Sequence, residues 1–150
     1  MSGTFRIVSH TADVALSLRA STEGELLHAL GRGLVRLIAG PRFGKAKARQ
    51  GWTGFAHGRM PAESLEALLV KWANEMICAF DTDGLLWIPG DVPVVTGSDE
   101  TGWVAEAWLA LYAARERGLE QFHDLKAATW HGLKVTRRNG ILRARLVLDT

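Results

Sequence analysis

The chain has 150 residues, of which 47% are hydrophobic and 23% charged, with eighteen basic and sixteen acidic side chains leaving a formal net charge of +2. That size carries one core, so residues 1–150 are expected to fold as one domain, and the composition excludes a disordered or fibrous chain. The small net charge excludes a strong phosphate-neutralising surface by charge alone, no apolar run approaches the ~20 residues that cross a bilayer, and Met1 to Arg6 lacks a signal peptide's apolar stretch, so a cytoplasmic location is expected.

Phe5 to Val8 reads as a short strand, and after the polar break His10-Thr11-Ala12-Asp13 the alternation resumes at Val14, Leu16, Leu18 and Ala20 as a second strand. Thr22 with Glu25 forms a capping-box signature, in which each side chain reaches a free backbone N–H of the other residue. The helix it starts carries Leu26, Leu30, Leu34 and Leu37 at helical spacing and ends at Gly40-Pro41, with Gly31 and Gly33 allowing close packing. Pro41 to Arg59 is rich in Gly, Lys and Arg and reads as a loop leading into a strand near Gln50 to Ala56. After Pro61, which a first helical turn tolerates, Leu65, Leu68, Leu69, Trp72, Met76 and Phe80 trace one stripe of a second long helix, stopped by Asp83-Gly84. Strands are then expected over 85–88, 92–95, 103–112, 127–136 and 141–148, the last two joined at the hairpin signal Asn139-Gly140. Two long helices among directly connected strands specify an α+β fold, a two-layer arrangement of a mainly antiparallel sheet with both helices packed on one face.

Several chemistries lack their residues. Cys78 is the single cysteine and reads as a buried, unreactive thiol, while five scattered histidines offer no zinc spacing. Gly40 to Ala46 follows a helix and lacks the Gly-Lys-Ser/Thr of a phosphate loop, and no serine or cysteine is paired with a base in a recognisable arrangement. The six tryptophans read mainly as core, and Arg137, Arg138, Arg143 and Arg145 as a solvated surface.

Alternation in the last strand puts Leu142, Ala144, Leu146 and Leu148 on one face and Arg143, Arg145, Val147 and Asp149 on the other. Asp13 also stands at a strand end, so two carboxylates with neighbouring carbonyls could converge as the hard oxygen ligands that Ca²⁺ or Mg²⁺ prefers. Lys126 precedes a strand beginning Ala127-Ala128-Thr129-Trp130-His131, where a cation could hold an anionic group or tune those carboxylates. Trp130 and His131, at successive strand positions, are expected to face opposite sides.

Three separated motifs resemble the archease family: Ser-His-Thr-Ala-Asp at 9–13, Leu-Leu-Val-Lys-Trp-Ala-Asn-Glu-Met at 68–76 and Leu-Lys-Ala-Ala-Thr-Trp-His-Gly-Leu at 125–133, with a closing Arg-Leu-Val-Leu-Asp as a fourth. The resemblance implies a non-enzymatic cofactor of the RtcB-type RNA-splicing ligase, which joins RNA ends bearing 3′-phosphate or 2′,3′-cyclic phosphate to 5′-hydroxyl ends. Archease-like proteins assist guanylylation of that ligase, speed its turnover and broaden its nucleotide use, so the resemblance implies a role for this chain in tRNA splicing or RNA repair. By the same resemblance Asp13 and Asp149 match ligands of a divalent cation, usually Ca²⁺ with Mg²⁺ or Mn²⁺ as alternatives. The carbonyl of Thr150 would complete that set, Lys126 matches a lysine needed for activation, and His10 and His131 stand as supporting residues.

The chain departs from the family pattern at Ser21, where glycine is usual, at Ala105-Glu106 in place of Gly-Glu, and at Thr150 in place of an aliphatic residue. The implied partner is the ligase, with RNA contact indirect or weak and no membrane. The alternative reading is a general protein- or RNA-binding, chaperone-like module, and a small metal-assisted hydrolase stands behind both because no general base is visible.

Overall fold

The computed structural model describes residues 3–9 and 13–150. In chain order the elements are β1 (Thr4–Ser9), β2 (Asp13–Ala20), α1 (Glu23–Ala39), α2 (Lys45–Gln50), β3 (Trp52–Ala62), α3 (Leu65–Cys78), β4 (Leu86–Pro89), β5 (Val94–Ser98), β6 (Gly102–Tyr112), β7 (Ala127–Ala128), β8 (Thr136–Arg138) and β9 (Ile141–Asp149). Among the described residues every strand pairing is antiparallel, and the fold is α+β as the pattern of elements predicts.

The strands divide into two sheets. The first runs β1-β2-β9-β7, with β8 pairing farther along β9, and the second runs β3-β6-β4, with β5 also on β6. Both long helices bridge them: α1 packs on β1, β2 and β9 and also on β4 and β5, while α3 packs on β7 and on β3 and β6. One buried cluster therefore draws on β2 (Leu16, Leu18), α1 (Leu30, Leu34), α3 (Leu68, Met76) and β9 (Leu146, Leu148) together with Leu86 and Leu109 of the second sheet.

Local chemistry explains the boundaries. Thr22 accepts the Glu25 N–H at the start of α1, and the Glu25 carboxylate accepts the Ser21 hydroxyl at 2.8 Å. The two glycines of α1 do let neighbours close in, since a Cβ on Gly31 would stand 2.9 Å from the Pro89 ring and one on Gly33 2.9 Å from the Leu16 side chain. Asn139 and Gly140 both take positive φ, at 52° and 75°, as a type I′ hairpin between β8 and β9 requires.

Four local expectations change. Lys45–Gln50 forms a short helix rather than loop, because the Gly44 N-cap and the helix-favouring Lys, Ala, Arg and Gln outweigh the flanking glycines. Pro61 lies near the end of β3, not in a helix; α3 begins at Leu65, where the Ser64 hydroxyl accepts the Ala67 N–H at 3.0 Å. Cys78 is exposed, off the buried stripe of α3 that runs through Leu68, Trp72 and Met76. The expected strand over 127–136 is two short pieces: after Ala128 the chain turns, with Leu133 N–H donating to the Trp130 carbonyl, so Trp130 and His131 are both exposed rather than opposed across a sheet.

Candidate functional site

The inner faces of β2 and β9 are set by Val14, Leu16, Leu18 and Ala20 on one strand and Leu142, Ala144, Leu146 and Leu148 on the other, all buried. Because side chains alternate, that register commits Asp13 and Asp149 to the outer face. The two are direct cross-strand partners, in register with Val14 opposite Leu148 and Ala15 opposite Val147. Residues so paired hold their Cβ atoms ~4.5–5.5 Å apart, close enough for both carboxylates to reach one ion. Both are exposed, and neither forms an ion pair among the described residues.

The third strand brings the lysine. Ala127 and Ala128 pair with Asp149 and Leu148, and the Lys126 N–H donates to the Asp149 carbonyl at 2.8 Å. The Lys126 main chain is thus tied to the residue that carries one carboxylate, while its ammonium lies 3.8 Å from Asp124. Asp13, Lys126, Asp149 and the adjoining Thr150 are therefore brought to one edge of the first sheet. His131 lies apart from that rung, in the turn after β7, where its N–H donates to the Thr129 hydroxyl at 3.3 Å. His10 lies outside the described residues.

Two contributors escaped the sequence reading. Asp124 engages Lys126, and nothing in its loop context distinguishes it from a solvated acid. Asn74, half-buried on α3, accepts the Ala128 N–H on Oδ1 at 2.8 Å and so pins the two-residue strand β7 to the helix. The available signal was its position one helical turn after the buried Val70, where a polar side chain needs a partner.

The donor set is all oxygen and suits a hard cation in kind. Among the described residues no three His, Cys, Asp or Glu side chains gather to hold a metal ion, so an ion bound by Asp13 and Asp149 would take its other ligands from main-chain oxygens, water or a partner.

The model of the archease protein family (MTH1598/TM1083) matches residues 5–150. The chain belongs to the archease family. It is 27% identical over 126 residues to the archease of Thermococcus kodakarensis, covering 84% of this chain and 83% of that one. The archease of Thermococcus gammatolerans is 28% identical over the same length. Protein 1598 of Methanobacterium thermoautotrophicum, solved in solution, shares the fold with a TM-score of 0.75 at 18% identity, over 97% of this chain and 98% of that one. The crystal structure of a Thermotoga maritima archease, described as a possible chaperone, superposes with a TM-score of 0.57 at 19% identity, over 97% and 96% of the two chains. Among the described residues no helix of this archease-family chain is long and apolar enough to cross a membrane.

Proposed function

We propose that this archease-family protein is a non-enzymatic activator of an RtcB-type RNA ligase in tRNA splicing or RNA repair, acting through the edge that carries Asp13, Lys126 and Asp149. The direct opposition of Asp13 and Asp149, with Lys126 tied to the Asp149 carbonyl, is the observation that supports it. Like charges held opposite one another destabilise a sheet, and a divalent cation relieves that repulsion. Asp13 and Asp149 would hold the ion, Ca²⁺ or alternatively Mg²⁺ or Mn²⁺, with the Thr150 carbonyl as a further ligand; the ion supplies positive charge for oxygen ligands of the partner.

Lys126 offers an ammonium on the same rim, steered by Asp124, to an anionic group of the ligase or its nucleotide. Docking there favours the ligase conformation that accepts guanylylation, by as much as the edge binds that conformation more tightly than the other. The test compares ligase guanylylation and turnover with wild-type, Asp13→Ala, Asp149→Ala and Lys126→Ala proteins, each shown folded by circular dichroism. Each variant is expected to lose most of the stimulation, and equal stimulation by all four overturns the reading.

A second reading, a general chaperone-like module, draws on exposed aromatics of the second sheet: Phe55 is 65% exposed, Trp108 63% and Trp52 42%, and Trp52 and Phe55 stack edge to face at 5.5 Å. Suppression of the aggregation of an unrelated heat-denatured enzyme, lost in Phe55→Ser/Trp108→Ser, would favour it over the ligase-specific role.

A further inference from the structure

The outer face of the first sheet changes character along its strands. At the end remote from Asp13, Arg19 lies directly opposite Arg143, flanked by Thr4 on β1 and Thr136 on β8. One rung on, Ser17 stands between Arg6 and Arg145. The next rung is Val8, Ala15 and Val147, and the last is the Asp13–Asp149 pair. Successive rungs on one face are ~6.7 Å apart and neighbouring strands ~4.8 Å, so four guanidiniums cover two adjacent rungs of a rigid surface.

All four arginines are exposed, and none forms an ion pair among the described residues. Arg137, on the opposite face, is by contrast taken up by Glu23. The arginine concentration visible near the end of the chain is therefore redistributed on folding: Arg137 leaves it, Arg138 stays on this face one rung farther out opposite Ile141, and Arg6 and Arg19 join Arg143 and Arg145. A like-charge pair directly across two strands is destabilising, and an anion laid over Arg19 and Arg143 removes that repulsion.

We infer that this face binds the phosphate backbone of RNA. Guanidinium forks match phosphate oxygens two at a time, and the remaining side chains of these rungs, Thr4, Ser17 and Thr136, are hydroxyls of the kind that also contact phosphate and sugar. A protein partner would call for a different surface, since interface centres are depleted of charge and anchored by aromatic or aliphatic side chains, which these two rungs lack. An aromatic stands at the border instead. Thr129 N–H bonds the Val147 carbonyl and Thr136 pairs with Arg143, so the segment between them runs along β9 beside Arg145, carrying Trp130 at 55% exposure as a surface on which a base can stack. Net charge hides this surface because the acids lie off these two rungs, not because the arginines are few.

The inference is independent of the ligase reading, since it concerns this chain alone. Binding of fluorescein-labelled oligouridylate is measured by anisotropy across a salt series, for the wild type and for Arg6→Gln/Arg19→Gln/Arg143→Gln/Arg145→Gln. The slope of log K against log salt is expected to flatten by about 0.7 for each arginine removed, as counterion release from a single strand requires. Trp130→Ala is expected to weaken binding without changing the slope, and oligodeoxythymidylate to bind less tightly because the hydroxyl-bearing rungs lose the ribose 2′-OH. An unchanged slope in the quadruple variant, with its melting temperature maintained, overturns the proposal. So does a wild type that ignores RNA and instead binds polyglutamate or phosphatidylserine vesicles through these arginines, and equal affinity for the deoxy strand overturns the assignment to RNA.

Discussion

Asp13 and Asp149 face each other across two strands with no cation from the described residues to separate them. Without divalent ions the pair opposes folding, by an amount within the ~0.2–1 kcal/mol that cross-strand pairs contribute. Asp149→Asn is therefore expected to raise the melting temperature slightly in chelator, and to abolish any further rise on adding Ca²⁺ that the wild type shows, as linkage of an ion to the folded state demands. Thermal melts with and without Ca²⁺ check both signs; a variant that still gains from Ca²⁺ as the wild type does would remove Asp149 from the ion site. Asp13, Asp149 and Lys126 stand out as candidates from motif resemblance and from their places at strand ends. Asp124 does not, because its contribution is a 3.8 Å approach to Lys126 that no spacing rule encodes.

Among elements, β7 is the one on which the site depends most and which sequence describes least well. Two residues pair with β9, and they are held from the other side by Asn74 of α3. Asn74→Ala would leave the N–H of buried Ala128 without its acceptor, at a cost of about 1–3 kcal/mol. Hydrogen exchange is expected to quicken first at Ala128 and Lys126, ahead of Leu16 or Leu146; uniform loss of protection would mean that Asn74 supports the whole core and not this strand. The expectation of a long strand over 127–136 failed for the same reason. Ala127 to Thr136 contains strand-favouring residues, but Gly132 takes a φ of 64° in a turn, and propensity yields to the way the segment packs on α3 and β9.

At the scale of the molecule, α1 and α3 each contact both sheets, so removing packing from one helix should be felt in both. We propose that the chain unfolds as one cooperative unit. Leu30→Ala, at a position with 0% exposure, is expected to lose about 2–5 kcal/mol, with tryptophan fluorescence and far-ultraviolet circular dichroism moving together. Two separated transitions would show that the sheets are independently stable.

Alternation of apolar residues in β2 and β9, the cap at Thr22, the apolar stripe of α3 and the Asn139-Gly140 turn act within a few residues, which is why the sequence by itself determined the class of the fold, both long helices and the outward direction of Asp149. Pairing partners distant in the chain obey no local rule. The division of strands into two sheets, the opposition of Asp13 to Asp149, the anchoring of β7 by Asn74 and the meeting of Arg19 with Arg143 were decided only when a shared core fixed the register of strands far apart in sequence.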